Sequence, residues 1–223
     1  MNKVEFEADL LQGDDRTQWE QTVANVLQRA YATYTGRNVI DELGLSSNKV
    51  KIVPYYVQNT NATTQARSFK DGYLLGHAMR DPQHGNLVAG NTPGTGAGSA
   101  VRLNYSPWRY PKDIQPVKLI HEMVHSAEVQ RGVMFCNKAS HCFDTVAEFD
   151  AILVENMARS ELNLFIRRDH HGSFPLVGNK MLPHDEMVNL IASFRRRMPH
   201  LTRALTNIRV PFNPLRAGNK AAP

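Results

Sequence analysis

The sequence predicts an α+β protein, a small mixed sheet packed on helices. Three observations lead there. A long amphipathic pattern opens the chain, two short β-branched segments lie in its first half, and mostly helical patterns fill the rest. Helices and strands that are segregated rather than strictly alternating favour α+β over a doubly wound parallel sheet.

Taken in order, residues 16 to 34 repeat Trp19, Val23, Val26, Leu27, Ala30 and Tyr34 at helical spacing, and Gly36 is expected to end that helix. "RNVIDELG" reads as a short second helix. "KVKIVPYYV", 49 to 57, is a strand by its β-branched and aromatic content, with Pro54 marking an edge or bend. Residues 58 to 99 read as irregular. Their glycines Gly94, Gly96 and Gly98 do not fit a phosphate cradle, because a strand, "AVRLNY" (100 to 105), follows them where a helix would be required. A mobile loop leading to an open sheet edge at 101 to 105 is the expectation. Pro116 suits a first helical turn, so a helix runs from about 116 to 130 and stops at Arg131-Gly132. A second long helix covers about 144 to 165, a loop covers 169 to 184, and a last helix starts at Asp185. One domain over 1 to 210 with a flexible tail at 211 to 223 is expected.

The bulk properties exclude several classes. The chain has 223 residues, 42% hydrophobic and 21% charged, as in ordinary globular proteins. No stretch approaches the eighteen or so apolar residues of a membrane span, and the N-terminus carries early acids without an apolar h-region, so no classical signal peptide is expected. The two cysteines, Cys136 and Cys142, are too few for a disulfide framework. With His141 they form "CNKASHC", which lacks the fourth ligand and the spacing of a zinc site, so two free thiols are expected. Net charge is +5, with basic residues gathered late in "FRRRMPHLTRAL". No aromatics interleave with those arginines. A solvated helix face is therefore expected rather than a nucleic-acid surface.

The most informative stretch is "LIHEMVHSAEVQ", 119 to 130. Residues four apart share one helix face, so His121 and His125 can grip one metal ion through imidazole nitrogens. Glu122 then projects beside the metal, placed to move a proton from water to a leaving group. This H-E-x-x-H spacing is a zinc-hydrolase signature. The plainer alternative is two histidines at the edge of a core helix, satisfied by carbonyls. A catalytic zinc also needs a third protein ligand. The helix from 144 offers Glu148 first, with Glu155, Asp144 and His141 as alternatives. Glu148 has a competing role, since Thr145-x-x-Glu148 is a capping box. Whichever of Asp144 and Glu155 is not a ligand is expected to orient a histidine from behind.

"VKLIHEMVHSAEVQRG" followed by "AEFDAILVENMARSELNL" resembles the NleD/HopH-type effector zinc metalloproteases. Glu148-Phe149, Glu155-Asn156 and Arg159 match the family's acidic step, E-N pair and arginine. Ala147 departs from the two acids often found at that step. The resemblance implies a zincin-like fold, a Zn²⁺ cofactor held by His121, His125 and Glu148, and Glu122 as general base. It also implies injection into a host cell by type III secretion. The expected partner is a host signalling protein such as a mitogen-activated protein kinase, cleaved by a monomer with no nucleic-acid or membrane partner. Family members often place a tyrosine after the second helix. Here Arg167, Arg168, His170 and His171 fall in that stretch, and Arg167 and His170 are the candidates to stabilise an oxyanion.

Overall fold

The computed structural model describes residues 4–55, 62–76, 93–136, 145–167, 176–177, 180–181 and 185–217. Four short strands make the main sheet: β1 (Val4–Phe6), β2 (Val50–Val53), β3 (Thr63–Ala66) and β4 (Val101–Asn104). Their order is β1-β2-β4-β3, with β2 parallel to β1 and β4, and β3 antiparallel to β4. The sheet is therefore mixed, as expected. Side chains alternate across it. Val50, Ile52, Val101 and Leu103 are buried, while Lys51 and Arg102 between them face outward. β4 lies inside the sheet, which corrects the expected open edge at 101 to 105. The edge strands are β1 and β3, the latter inside a segment read as irregular. Its Thr-Thr-Gln-Ala sequence lacks the apolar alternation that marks a strand.

The helices are α1 (Gly13–Ala32), α2 (Tyr34–Gly44), α3 (Phe69–Gly72), α4 (Gln115–Arg131), α5 (Val146–Glu161), α6 (Asp185–Arg197), α7 (Pro199–Asn207) and α8 (Pro214–Ala217). A two-stranded hairpin, β5 (Leu176–Val177) with β6 (Lys180–Met181), lies in the stretch read as loop. Among the described residues no helix is long and apolar enough to cross a membrane. α1 ends earlier than expected. Thr33 breaks the chain direction and caps α2 by accepting from the Gly36 N–H at 2.9 Å. Gly36 lies in the first turn of α2, where a Cβ would come within 2.1 Å of the Ala30 carbonyl oxygen. Close approach of two successive helices, not termination, explains that glycine.

α4 is the axis of the molecule. It packs against α1, α2, α5 and the β3–β4 side of the sheet, and every residue from Leu119 to Gln130 is buried. Such a helix has no solvated face for its polar residues, so His121, Glu122, His125 and Glu128 must find partners inside. Gly132 ends α4 in the left-handed conformation, φ 67°. Gly96 and Gly98 meet this helix end, while Gly94 packs on the Tyr73–Leu74 backbone. A Cβ on Gly98 would lie 2.2 Å from the Gln130 carbonyl oxygen, and one on Gly132 would lie 2.5 Å from the Gly96 carbonyl carbon. The described part of the glycine-rich segment is thus a backbone seam rather than a free loop. The late basic stretch also differs from expectation, because Arg197 is buried and ion-paired. The tail is folded as far as Ala217, with Phe212 and Leu215 in the core. The apolar pair is too short to read as an element but large enough to dock.

Candidate metal centre

α4 and α5 pack side by side and bring three ligand types together. The side chains of His121, His125 and Glu148 place one donor atom each within 4.8 Å of one another. His121 Nε2 is 3.4 Å from Glu148 Oε2, and His125 Nε2 is 3.5 Å from Glu148 Oε1. A tetrahedral ion with bonds of about 2.0–2.1 Å separates its ligand atoms by about 3.4 Å, so the spacing fits. Glu148 Oε2 is buried without a hydrogen-bond partner, which an ion would supply. These residues can hold a metal ion. Thr145 caps α5 by accepting from the Glu148 N–H at 3.1 Å. Capping thus uses the Glu148 backbone and leaves its carboxylate for the histidines.

Both imidazoles have a carboxylate behind them. His121 Nδ1 lies 3.0 Å from Glu155 Oε2. That is the orienting role expected of Glu155 or Asp144; Asp144, His141 and Cys142 lie outside the described residues. Glu155 is completely buried but meets Lys118, Arg159 and Arg167, at 3.3, 2.7 and 3.3 Å. His125 Nδ1 faces Glu128 Oε2 at 3.6 Å, too long for a hydrogen bond. Glu128 and Asp150, both fully buried, share the guanidinium of Arg197. Sequence reasoning missed Glu128 and Arg197. Glu128 was readable, three residues past His125 on the same helix; Arg197 comes from a distant helix and carried no signal.

The electrostatics follow from burial and pairing. Burial opposes charge on His125, but the Glu148 and Glu128 carboxylates outweigh it and hold its pKa well above the ordinary value. His121 is raised in the same way, against burial, by Glu148 and Glu155. Burial would raise Glu148, yet the two histidines hold it well below the carboxylate range. Glu122 is different. Burial dominates and raises its pKa, the direction that suits a proton acceptor near neutrality. Its Oε2 accepts from Thr64 Oγ1 at 2.8 Å, so β3 fixes its orientation. Thr64 was missed because nothing in its neighbourhood marked a strand.

Of the two oxyanion candidates, Arg167 is paired with Glu155, and its backbone is clamped to the Asn156 side chain at 2.7 and 2.9 Å. His170 lies outside the described residues. Tyr110, not singled out from sequence, feels the charges of both Glu122 and Arg167. Its hydroxyl accepts from the Ala62 N–H at 2.9 Å, just before β3, and has its own proton left to donate. Cys136 is a free thiol pushed up to about 12 by burial, as an inert structural cysteine would be.

Comparison with known proteins gives no match: no family model, no curated protein and no solved structure is significantly similar to the chain. The resemblance to effector metalloproteases therefore rests on the motif and its flanking steps alone.

Proposed function

We propose that the protein is a zinc-dependent endopeptidase. One observation carries this reading: two imidazole nitrogens one helical turn apart converge on both oxygens of a carboxylate, with a buried Glu122 outside that cluster and between the histidines in sequence. A zinc ion at that position would lower the pKa of a water toward 7 and polarise a scissile carbonyl. Glu122 takes the proton of the attacking water on its carboxylate and delivers it to the leaving amine nitrogen. Thr64 holds one Glu122 oxygen and leaves the other for the proton. Tyr110 donates its hydroxyl proton to the developing oxyanion, with Arg167 supplying positive charge nearby. The edge of β3, unpaired on its outer side among the described residues, takes an extended substrate by strand addition, which lays the peptide alongside the element that orients Glu122. By the motif's resemblance, the enzyme is a type III effector acting on host signalling proteins such as mitogen-activated protein kinases.

The test pairs two variants. Glu122→Ala should keep about one zinc per chain and lose cleavage of a peptide library, whereas Glu148→Ala should lose the metal. Cleavage at the normal rate by Glu122→Ala would refute the mechanism, and unchanged metal content in Glu148→Ala would remove it as a ligand.

A further inference from the structure

The outer face of the main sheet, opposite α4, holds a groove of about 330 Å³ lined by Lys49, Lys51, Arg67 and Arg102, with Glu7 as its one acid. We infer that this groove binds an acidic segment of a polypeptide. Lys51 and Arg102 stand directly opposite each other on β2 and β4. Like charges on paired strand positions cost stability unless something offsets them. Glu7 offsets Lys51 through an ion pair, and Glu5 offsets Lys49. Among the described residues Arg102 has a single long 3.4 Å side-chain contact, to Asn104, and Arg67 makes no side-chain hydrogen bond or ion pair, although the charges of both reach Glu7, whose one ion pair is with Lys51. Four cations thus share two acids on this sheet face, and among the described residues no helix covers it.

The shape and chemistry narrow the ligand. The cations sit on β2, on β4 and just past β3, so they span about 10 Å across the strands, wider than a single small anion needs. No aromatic side chain is among the groove's lining residues to stack a base. Carboxylate side chains of an extended acidic segment suit paired guanidiniums spaced this way. The groove does not depend on the metal. Only its use in choosing a substrate rests on the endopeptidase reading: a chain laid on the β3 edge could place acidic residues here.

The test measures fluorescence anisotropy of a labelled Asp/Glu-rich peptide against metal-free Glu122→Ala protein, so failure of the hydrolase reading leaves it intact. Arg67→Glu with Arg102→Glu should weaken binding at least about tenfold, and raised salt should weaken the parent protein's binding. Arg203→Glu with Arg209→Glu, an equal charge change at exposed residues of α7 and beyond, should leave it unchanged. Should the charge reversals unfold the sheet, Arg67→Gln with Arg102→Gln should still weaken binding several-fold. Absence of binding by the parent protein, equal loss in both pairs of variants, or tighter binding of a labelled oligouridylate would each overturn the inference.

Discussion

The two histidines are supported in opposite ways. Behind His121, one carboxylate, Glu155, is surrounded by three cations, Lys118, Arg159 and Arg167, and sits at 3.0 Å. Behind His125, two carboxylates, Glu128 and Asp150, share one cation, Arg197, and the imidazole contact opens to 3.6 Å. Excess positive charge keeps Glu155 ionised, well below the ordinary carboxylate range despite its burial. Excess negative charge on the other side forces a proton to stay. Burial and the Glu128 charge hold Asp150 well above the carboxylate range, while Glu128, paired with His125 and Arg197, is lowered. Asp150 Oδ1 and Glu128 Oε2 are both buried without a hydrogen-bond partner. One side is a redundant electrostatic clamp; the other hangs on a single arginine.

Removing that arginine is the most severe way to break the contrast. Arg197→Leu should cost about 3–5 kcal/mol in chemical denaturation, because it leaves two buried acids without a cation. Lys118→Met should cost far less, since Glu155 keeps two arginines; equal losses would show that redundancy is not what separates the sides. Next in size, Glu155→Gln should weaken zinc binding about 10–100-fold in competition titrations without being a ligand, by loosening the His121 ring. Glu128→Gln should weaken it less, because the His125 contact is already long.

The pH response sharpens the comparison further. Both histidines sit above 6.5 in the folded, metal-free protein. Their stabilisation is complete below about 6.5 and is lost as pH rises through the folded values. Glu148 lies below 4.5, so its contribution is complete above about 4.5 and lost as pH falls through its folded value. Chelator-treated protein should therefore melt highest between those limits and progressively lower above them. Bound metal displaces the histidine protons, so the zinc-loaded protein should gain stability over the same rise. Thermal melts with and without zinc check the crossing. The smallest effect is expected for Asp150→Asn, within about 1 kcal/mol, because burial and Glu128 already favour the neutral carboxyl that an amide resembles.

This contrast also marks what the sequence could carry. His121, Glu122 and His125 were legible because four-residue spacing on one helix is a local property, and Glu148 because it opens the next helix. α4 and α5 were legible from long periodic patterns. β1 and the hairpin were not, since two or three residues give no measurable period, nor was β3, whose Thr-Thr-Gln-Ala lacks apolar alternation, and the edge was assigned to β4 in consequence. Arg197 reaches its acids across 69 and 47 residues of chain. Its sequence context, three arginines in a row, describes a solvated helix end, and only the packing of α6 on α5 reverses that. Thr64 and Tyr110 gather at Glu122 through β3, so the missed strand concealed both.

The glycine seam at the end of α4 has a mechanical meaning. The closest approaches at Gly98 and Gly132 are backbone to backbone, so with Gly96 they act as a hard stop for the helix. His125 lies roughly two turns, about 10 Å, back from that stop. A helix is stiff along its axis, so a methyl group inserted at the stop would slide both imidazoles together rather than being absorbed on the way. Productive metal geometry tolerates about 0.5 Å. The three glycines thus serve as the datum from which the positions of His121 and His125 are measured, although they lie beyond the far end of the helix from both.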